Sequence, residues 1–374
     1  MRRFYLAVLC AFVLGAQERH KLSIDPATDE GKLLERIGQQ QDAAQKQQLM
    51  EEFVSKYPTN PGVTWVYGQL QPMYLKEQQF DKVLAAGEAA LAVDPDNADL
   101  AYNNLKAAEG KKDPEMVKAW SLRTSQNARK VITAGKNTTE EEKQQLDYST
   151  QLDVYSEYSI YATALQATDP LVTIDLAETL EQRNPKSQYL PKVYGKYLNA
   201  LRQAGQNDKA ATKAEQMAAV DATSEDVLLL AADSNMQKKT EPEKVISYSN
   251  KLAELLESKQ KPEGMSDADW KQKRESILGL AYWMAGVTYS TQGRYAEADR
   301  SLRSALPYLA DEQLRAMGLF HLGLSDYQLG KATKEKARLQ DGLKYSEQSA
   351  AIKSPVQAQA QKNVRAIRGE LGTR

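Results

Sequence analysis

The side chains able to do covalent or metal chemistry in this 374-residue chain are few: two histidines, His20 and His321, and one cysteine, Cys10. Ser325, one helical turn after His321, cannot complete a zinc site, so His321 reads as a partly exposed helix residue. Cys10 has no second thiol, which excludes a disulfide framework. Ser258-x-x-Lys261 has the spacing of a Ser–Lys nucleophile pair. It lies in a polar stretch and lacks the accompanying Ser-Asp-Asn or Lys-Thr-Gly. Gly323 to Lys331 has the outline of a phosphate loop, but six residues separate its glycines where four are required, and Ala332 stands where Ser or Thr must be. Glu140-Glu141-Glu142 reads as the acidic first turn of a helix. Asn137-Thr138-Thr139 is a glycosylation sequon, which matters only in a eukaryotic secretory pathway. No catalytic, cofactor-binding or metal-binding residue emerges, and the expectation is a non-enzymatic protein.

The elements that hold the remaining side chains are helices. The clearest stretch is Gly279 to Leu306, GLAYWMAGVTYSTQGRYAEADRSLRSAL. Tyr282, Ala285, Gly286 and Tyr289 recur at three- and four-residue steps and share one helix face, and Ala298, Leu302 and Ala305 share another. Gly293 between them supplies a left-handed turn. Gly286 sits mid-helix, where glycine costs about 1 kcal/mol against alanine. That cost is tolerated where two backbones must approach closely.

The plan recurs with decay. Leu33, Leu34 and Ile37 pair with Leu49, Phe53 and Val54; Tyr67, Leu70 and Tyr74 pair with Ala90 and Leu91. Tyr155, Tyr158 and Tyr161 form a stripe whose partner helix carries Leu176 and Leu180. Tyr194, Tyr197, Leu198 and Leu201 precede a turn at Gly205, and Leu322, Gly323 and Tyr327 precede one at Gly330. Asp25-Pro26 is expected to start the first helix, and the capping boxes Thr139-x-x-Glu142 and Ser266-x-x-Asp269 to start two later ones. No segment alternates with period two, so no sheet is expected.

An aromatic, a small pair and a tyrosine followed by Ala-x-x-x-Leu resembles the tetratricopeptide repeat, carried here by Tyr282, Ala285-Gly286, Tyr289 and Ala298 to Leu302. A second match is FDKVLAAGEAALAVDPDN, from Phe80 to Asn97. Tyr282 replaces the usual Trp, Ala285-Gly286 the usual Leu-Gly, and Pro307 falls early for the closing proline. Thr64 to Ala98 and Pro191 to Glu225 are steps of about 34 residues, the period of that family. The resemblance covers roughly residues 25–350, in about seven or eight copies. It implies an all-α fold, a right-handed superhelical solenoid of antiparallel helix pairs, whose first helices line a concave groove for a peptide or partner helix. Carried over residue by residue, the groove candidates are Trp65, Tyr102, Tyr155, Tyr158, Lys192, Lys196, Asn199, Trp283 and Phe320. Aromatics supply contact area and Lys or Asn fixes register. Gly68 and Pro72 occupy the first positions of the basic clamp some members use for a C-terminal carboxylate, so that clamp is not reproduced.

The ends of the chain suggest where it works. Arg2 and Arg3, an apolar run from Phe4 to Leu14 and the small pair Gly15-Ala16 describe a secretory signal peptide over residues 1–16, cleaved near Ala16. The run is too short to span a bilayer, which takes about 20 residues, and no later segment has that length either. A flexible stretch, 17–24, is expected next, then repeats over 25–130, 151–257 and 279–350. A polar interruption at 131–150 and a linker with the start of a long helix at 258–278 separate them, and a capping helix closes the chain over 351–374. With 49 basic against 50 acidic residues the charge is balanced, which argues against a nucleic-acid partner. The expected protein is bacterial, exported to the periplasm or secreted, and binds a protein or peptide of the cell envelope without a cofactor. A role in outer-membrane or envelope assembly, or a glycan- or small-molecule-binding or enzymatic use of the groove aromatics, are the alternatives.

Overall fold

A computed structural model describes residues 25, 27–135, 138–220 and 224–372. The expectations placed on residues 1–24, including the export segment, Cys10 and His20, lie outside the described residues, as do Pro26 and Asn137. Every described element is a helix. The chain divides into two compact units, one ending at Val193 and one beginning at Tyr194.

The first unit contains α1 (Asp29–Gln39), α2 (Ala43–Lys56), α3 (Val63–Lys76), α4 (Phe80–Val93), α5 (Ala98–Lys111), α6 (Pro114–Ala134), α7 (Glu140–Gln166) and α8 (Pro170–Arg183). Helix α9 (Leu190–Gln203) carries the division between the units. Neither interruption coincides with that division. Each helix from α1 to α8 packs on its neighbour in sequence, while α3 touches α5, α5 touches α7 and α6 touches α8. That is the contact pattern of stacked hairpins. Ile37, Met50, Phe53, Val66, Leu70 and Val83 fill one continuous apolar cluster across α1 to α4.

The second unit contains α10 (Asn207–Val220), α11 (Glu225–Lys238), α12 (Pro242–Ser258), α13 (Asp267–Thr291), α14 (Tyr295–Ala305), α15 (Glu312–Thr333), α16 (Lys336–Ala351) and α17 (Gln357–Leu371). Neighbours again pack in order, and α11 touches α13, α13 touches α15 and α15 touches α17. The close approach expected at Gly286 is present: a Cβ there would stand 2.6 Å from Cγ of Leu302 on α14. Gly293 has φ +76°, the left-handed turn that closes α13. On α17 Ala360 and Ile367 are fully buried.

Local sequence sets most boundaries. Thr139 Oγ1 accepts from the Glu142 N–H, and the Glu142 carboxylate accepts from the Thr139 N–H, so the capping box forms. Ser266 likewise accepts from the Asp269 N–H. The first helix differs from expectation: its cap is Thr28, whose hydroxyl accepts from Gly31, while Asp25 makes the preceding turn by accepting from Ala27. Thr28 wins because its oxygen reaches the third N–H of α1, the bond an N-cap makes. Helices α6, α7, α13 and α15 have 21, 27, 25 and 22 residues, against 14 for α2 to α5. Much of the polar stretch 131–150 is therefore helix, belonging to the end of α6 and the start of α7.

Candidate tyrosine-lined groove

In the first unit α5 and α7 lie side by side, and the three-residue spacing of Tyr155, Tyr158 and Tyr161 puts all three rings along one face of α7. Tyr102 reaches across from α5 and meets Tyr155 edge-on, with centroids 5.4 Å apart. Tyr155 to Tyr158 is 6.0 Å, and Tyr158 to Tyr161 6.2 Å. Tyr189, in the turn before α9, stacks on Tyr161 at 5.2 Å and lies 5.9 Å from Tyr158. Two further bonds shape that turn, Ser187 N–H to the Asn184 carbonyl and Tyr189 N–H to Ser187 Oγ. The result is a row of five rings in unbroken contact, each pair worth about 0.5–1.5 kcal/mol beyond its buried area. Tyr158, at its centre, keeps 44% of its surface exposed.

A polar network fixes the row from α5. Glu109 accepts from the Tyr155 hydroxyl at 2.9 Å with both oxygens, from Ser159 at 2.5 Å and from Lys106 at 2.6 Å. Lys106 also donates to the Tyr155 oxygen at 2.7 Å and lies 5.0 Å from its ring centroid. Burial, then the Glu109 carboxylate, raises the Tyr155 phenol well above its ordinary range. It is a neutral donor at any physiological pH. Tyr148, further up α7, donates to Asp99 at 2.6 Å and is raised in the same way by burial and that carboxylate.

Behind the same helix lies an ion cluster. Arg129 Nε donates to both oxygens of Asp153 at 3.1 Å, and Ser125 and Arg183 donate to the same carboxylate. The Arg183 side chain is only 5% exposed, and its Nε and Nη1 find no acceptor among the described residues. Burial pulls its pKa down, against the opposing pull of Asp153.

Between the end of α5, the start of α6, the middle of α7 and the start of α8 lies a cleft of about 570 Å³. Pro114, Val117, Ala162 and Val172 form its apolar walls, and Tyr155 and Tyr158 stand on its groove side.

The nine residues expected to line a groove divide between several surroundings. Tyr102, Tyr155 and Tyr158 come together in the row, and Lys192 joins them with its ammonium 5.3 Å from the Tyr189 ring centroid. Trp65 is half-buried against the apolar cluster of α1 to α4. Lys196 and Asn199 belong to the second unit, half-buried and exposed respectively. Trp283 is 8% exposed, and its indole N–H donates to the Leu314 carbonyl at 3.0 Å, so it packs between α13 and α15. Phe320 is half-buried, edge-on to His321 at 4.9 Å. His321 Nδ1 is 3.0 Å from Ser290 Oγ, and burial pushes its pKa down to about 4.

Sequence reading missed Tyr189, Glu109, Lys106 and Ser159. Tyr161 was visible as the third member of the α7 stripe. Tyr189 carried no periodic signal, because it lies in a turn.

No family model matches this chain. No curated protein matches it. Among solved structures, the TPR domain of P58(IPK) aligns over 92% of this chain and 99% of its own, at 12% identity and a TM-score of 0.25. The Cut9–Hcn1 hetero-tetramer of the APC/C aligns over 94% of this chain and 86% of its own, at 11% identity and a TM-score of 0.23. The all-α assignment stands on the helix pairs themselves. Among the described residues no helix is long and apolar enough to cross a membrane.

Proposed function

We propose that this chain is a non-enzymatic binding scaffold that takes an extended peptide or a partner helix across the tyrosine row of α5 and α7. The observation that carries the reading is the half-exposed Tyr158 at the centre of five contacting rings. Rings held by their neighbours lose little freedom on binding, and tyrosine offers both apolar area and a hydroxyl. The tetratricopeptide resemblance supports the same site, since α5 and α7 correspond to first helices of their pairs. The working place we assign is the bacterial envelope, on the basic start, apolar run and small-residue exit of residues 1–16, with a protein or peptide partner there.

The test is crosslinking in living cells from a photoreactive residue at Tyr158 of the tagged full-length protein, with fractionation. One or two stoichiometric envelope partners, lost when Tyr155 and Tyr189 are changed to Ala, support the reading. An uncleaved cytoplasmic product overturns the location, and absence of any protein adduct overturns peptide binding in favour of a glycan or small-molecule ligand.

A further inference from the structure

The hydroxyls of the tyrosine row are not used alike. Tyr155 donates to Glu109, whereas the hydroxyls of Tyr158, Tyr161 and Tyr189 meet no acceptor among the described residues. The two carboxylates that act on the rings are already taken. Glu109 accepts from Tyr155, Ser159 and Lys106, and Glu157, 6% exposed, accepts from Asn184 Nδ2 at 2.8 Å. The row therefore presents three hydroxyl donors among ring faces, while its carboxylates are committed within the protein. That pattern separates one kind of ligand backbone from another. A helix has bonded its own carbonyls internally and leaves the three hydroxyls little to donate to. A strand-like peptide brings an N–H with every carbonyl, and those donors would be pressed against apolar rings. A proline-rich segment carries carbonyls and no N–H. In the polyproline II form it makes no internal hydrogen bonds, so every carbonyl is on offer.

Resting on the groove reading above, we propose that the partner segment is proline-rich. It lies along the row as a polyproline II helix, its carbonyls accepting from Tyr158, Tyr161 and Tyr189 and its pyrrolidine rings resting on the tyrosine faces. Aromatic-lined grooves are the surfaces such segments dock in, and a preformed helix loses little freedom on docking. The tyrosines are ordered beforehand too, since each ring of the row touches the next. The path from Tyr102 to Tyr161, in steps of 5.4, 6.0 and 6.2 Å, is at most as long as about six residues rising ~3.1 Å each.

The experiment follows, by fluorescence anisotropy on the full chain, the binding of labelled nonaproline and of the same peptide with alternate prolines changed to Ala. The comparison protein is the double variant Tyr158→Phe, Tyr161→Phe, which removes two hydroxyls that no described group accepts from and keeps both rings. Its urea unfolding should therefore match the parent. Nonaproline is expected to bind, the Ala-substituted peptide at least about 5-fold more weakly, and the double variant to bind nonaproline about 10-fold more weakly. Equal affinity for the two peptides, or nonaproline binding that the double variant leaves unchanged, overturns the proposal. Failure of nonaproline to bind overturns it as well. A random dodecapeptide phage library panned on the same protein then tests the groove itself. Retained peptides whose binding is lost in Tyr158→Ala leave the groove reading standing without the proline, and no retained peptide overturns both.

Discussion

The Tyr155 hydroxyl donates to both carboxylate oxygens of Glu109 at 2.9 Å, tying the first ring of the α7 row to α5. The bond is charge-assisted and partly shielded, so Tyr155→Phe should lower stability by about 1–2 kcal/mol. Its ring contacts remain, so peptide affinity should change less than 3-fold. Urea unfolding and binding measured on one preparation check both, and a large affinity loss without a stability loss would give the hydroxyl a ligand contact instead.

Tyr158→Ala should separate binding from folding in the opposite way. The ring is 44% exposed and its losses are contacts with three neighbouring tyrosines, about 0.5–1.5 kcal/mol of stability for each contact. A central aromatic in an interface is worth about 2 kcal/mol or more, so affinity for a groove-bound peptide should fall at least about 10-fold. Titration by fluorescence anisotropy reads this directly.

Trp283→Ala should do the reverse. The indole is buried and donates to the Leu314 carbonyl, so truncation should cost about 3–5 kcal/mol. Folded Trp283→Ala protein should keep its peptide affinity. A loss of affinity without a drop in the unfolding midpoint would return Trp283 to the binding surface.

Gly286→Ala tests the close approach of α13 and α14. Alanine is the better helix former by about 1 kcal/mol, yet its Cβ meets Leu302 at 2.6 Å. The variant should be less stable by about 1–3 kcal/mol. In a Leu302→Ala background the same change should cost markedly less. A double-mutant cycle measures the coupling, and additive effects would show that the helices can separate freely.

His321 and Asp326, on the same helix, should give opposite pH dependences. Burial holds His321 down to about 4, below its unfolded value of 6.5. Between pH 6.5 and 4 the unfolded chain therefore takes a proton the folded chain refuses, and stability falls as pH falls. Asp326, 0% exposed, is raised to about 6 by burial and then by Asp299, against the pull of Arg303 and Arg338. Between pH 6 and 4 the folded chain takes the proton first, so this group adds stability as pH falls. The two contributions offset each other in the intact protein. His321→Gln should lose the acid penalty and gain on the order of 2–3 kcal/mol relative to the parent between pH 7 and 4. Denaturant titrations at the two pH values decide it, and parallel stability curves would refute it.

Sequence alone settled the helical class and many of the boundaries. Three- and four-residue spacing of apolar residues, the capping box at Thr139, the N-cap at Ser266 and the left-handed glycine at 293 are local signals, read within a turn or two of chain. It also marked Tyr155, Tyr158 and Tyr161 as one stripe. It could not rank its groove candidates, because helical spacing names a face without saying what that face meets. Packing decided that Trp283 lies inside, against the carbonyl of Leu314, while Tyr158 stays half outside. Tyr189 and Glu109 enter the site from a turn and from a different helix, 31 and 49 positions from Tyr158 in opposite directions along the chain. Contacts between segments so far apart have no local pattern. They exist only once burial of the apolar faces has brought α5, α7 and the turn before α9 together.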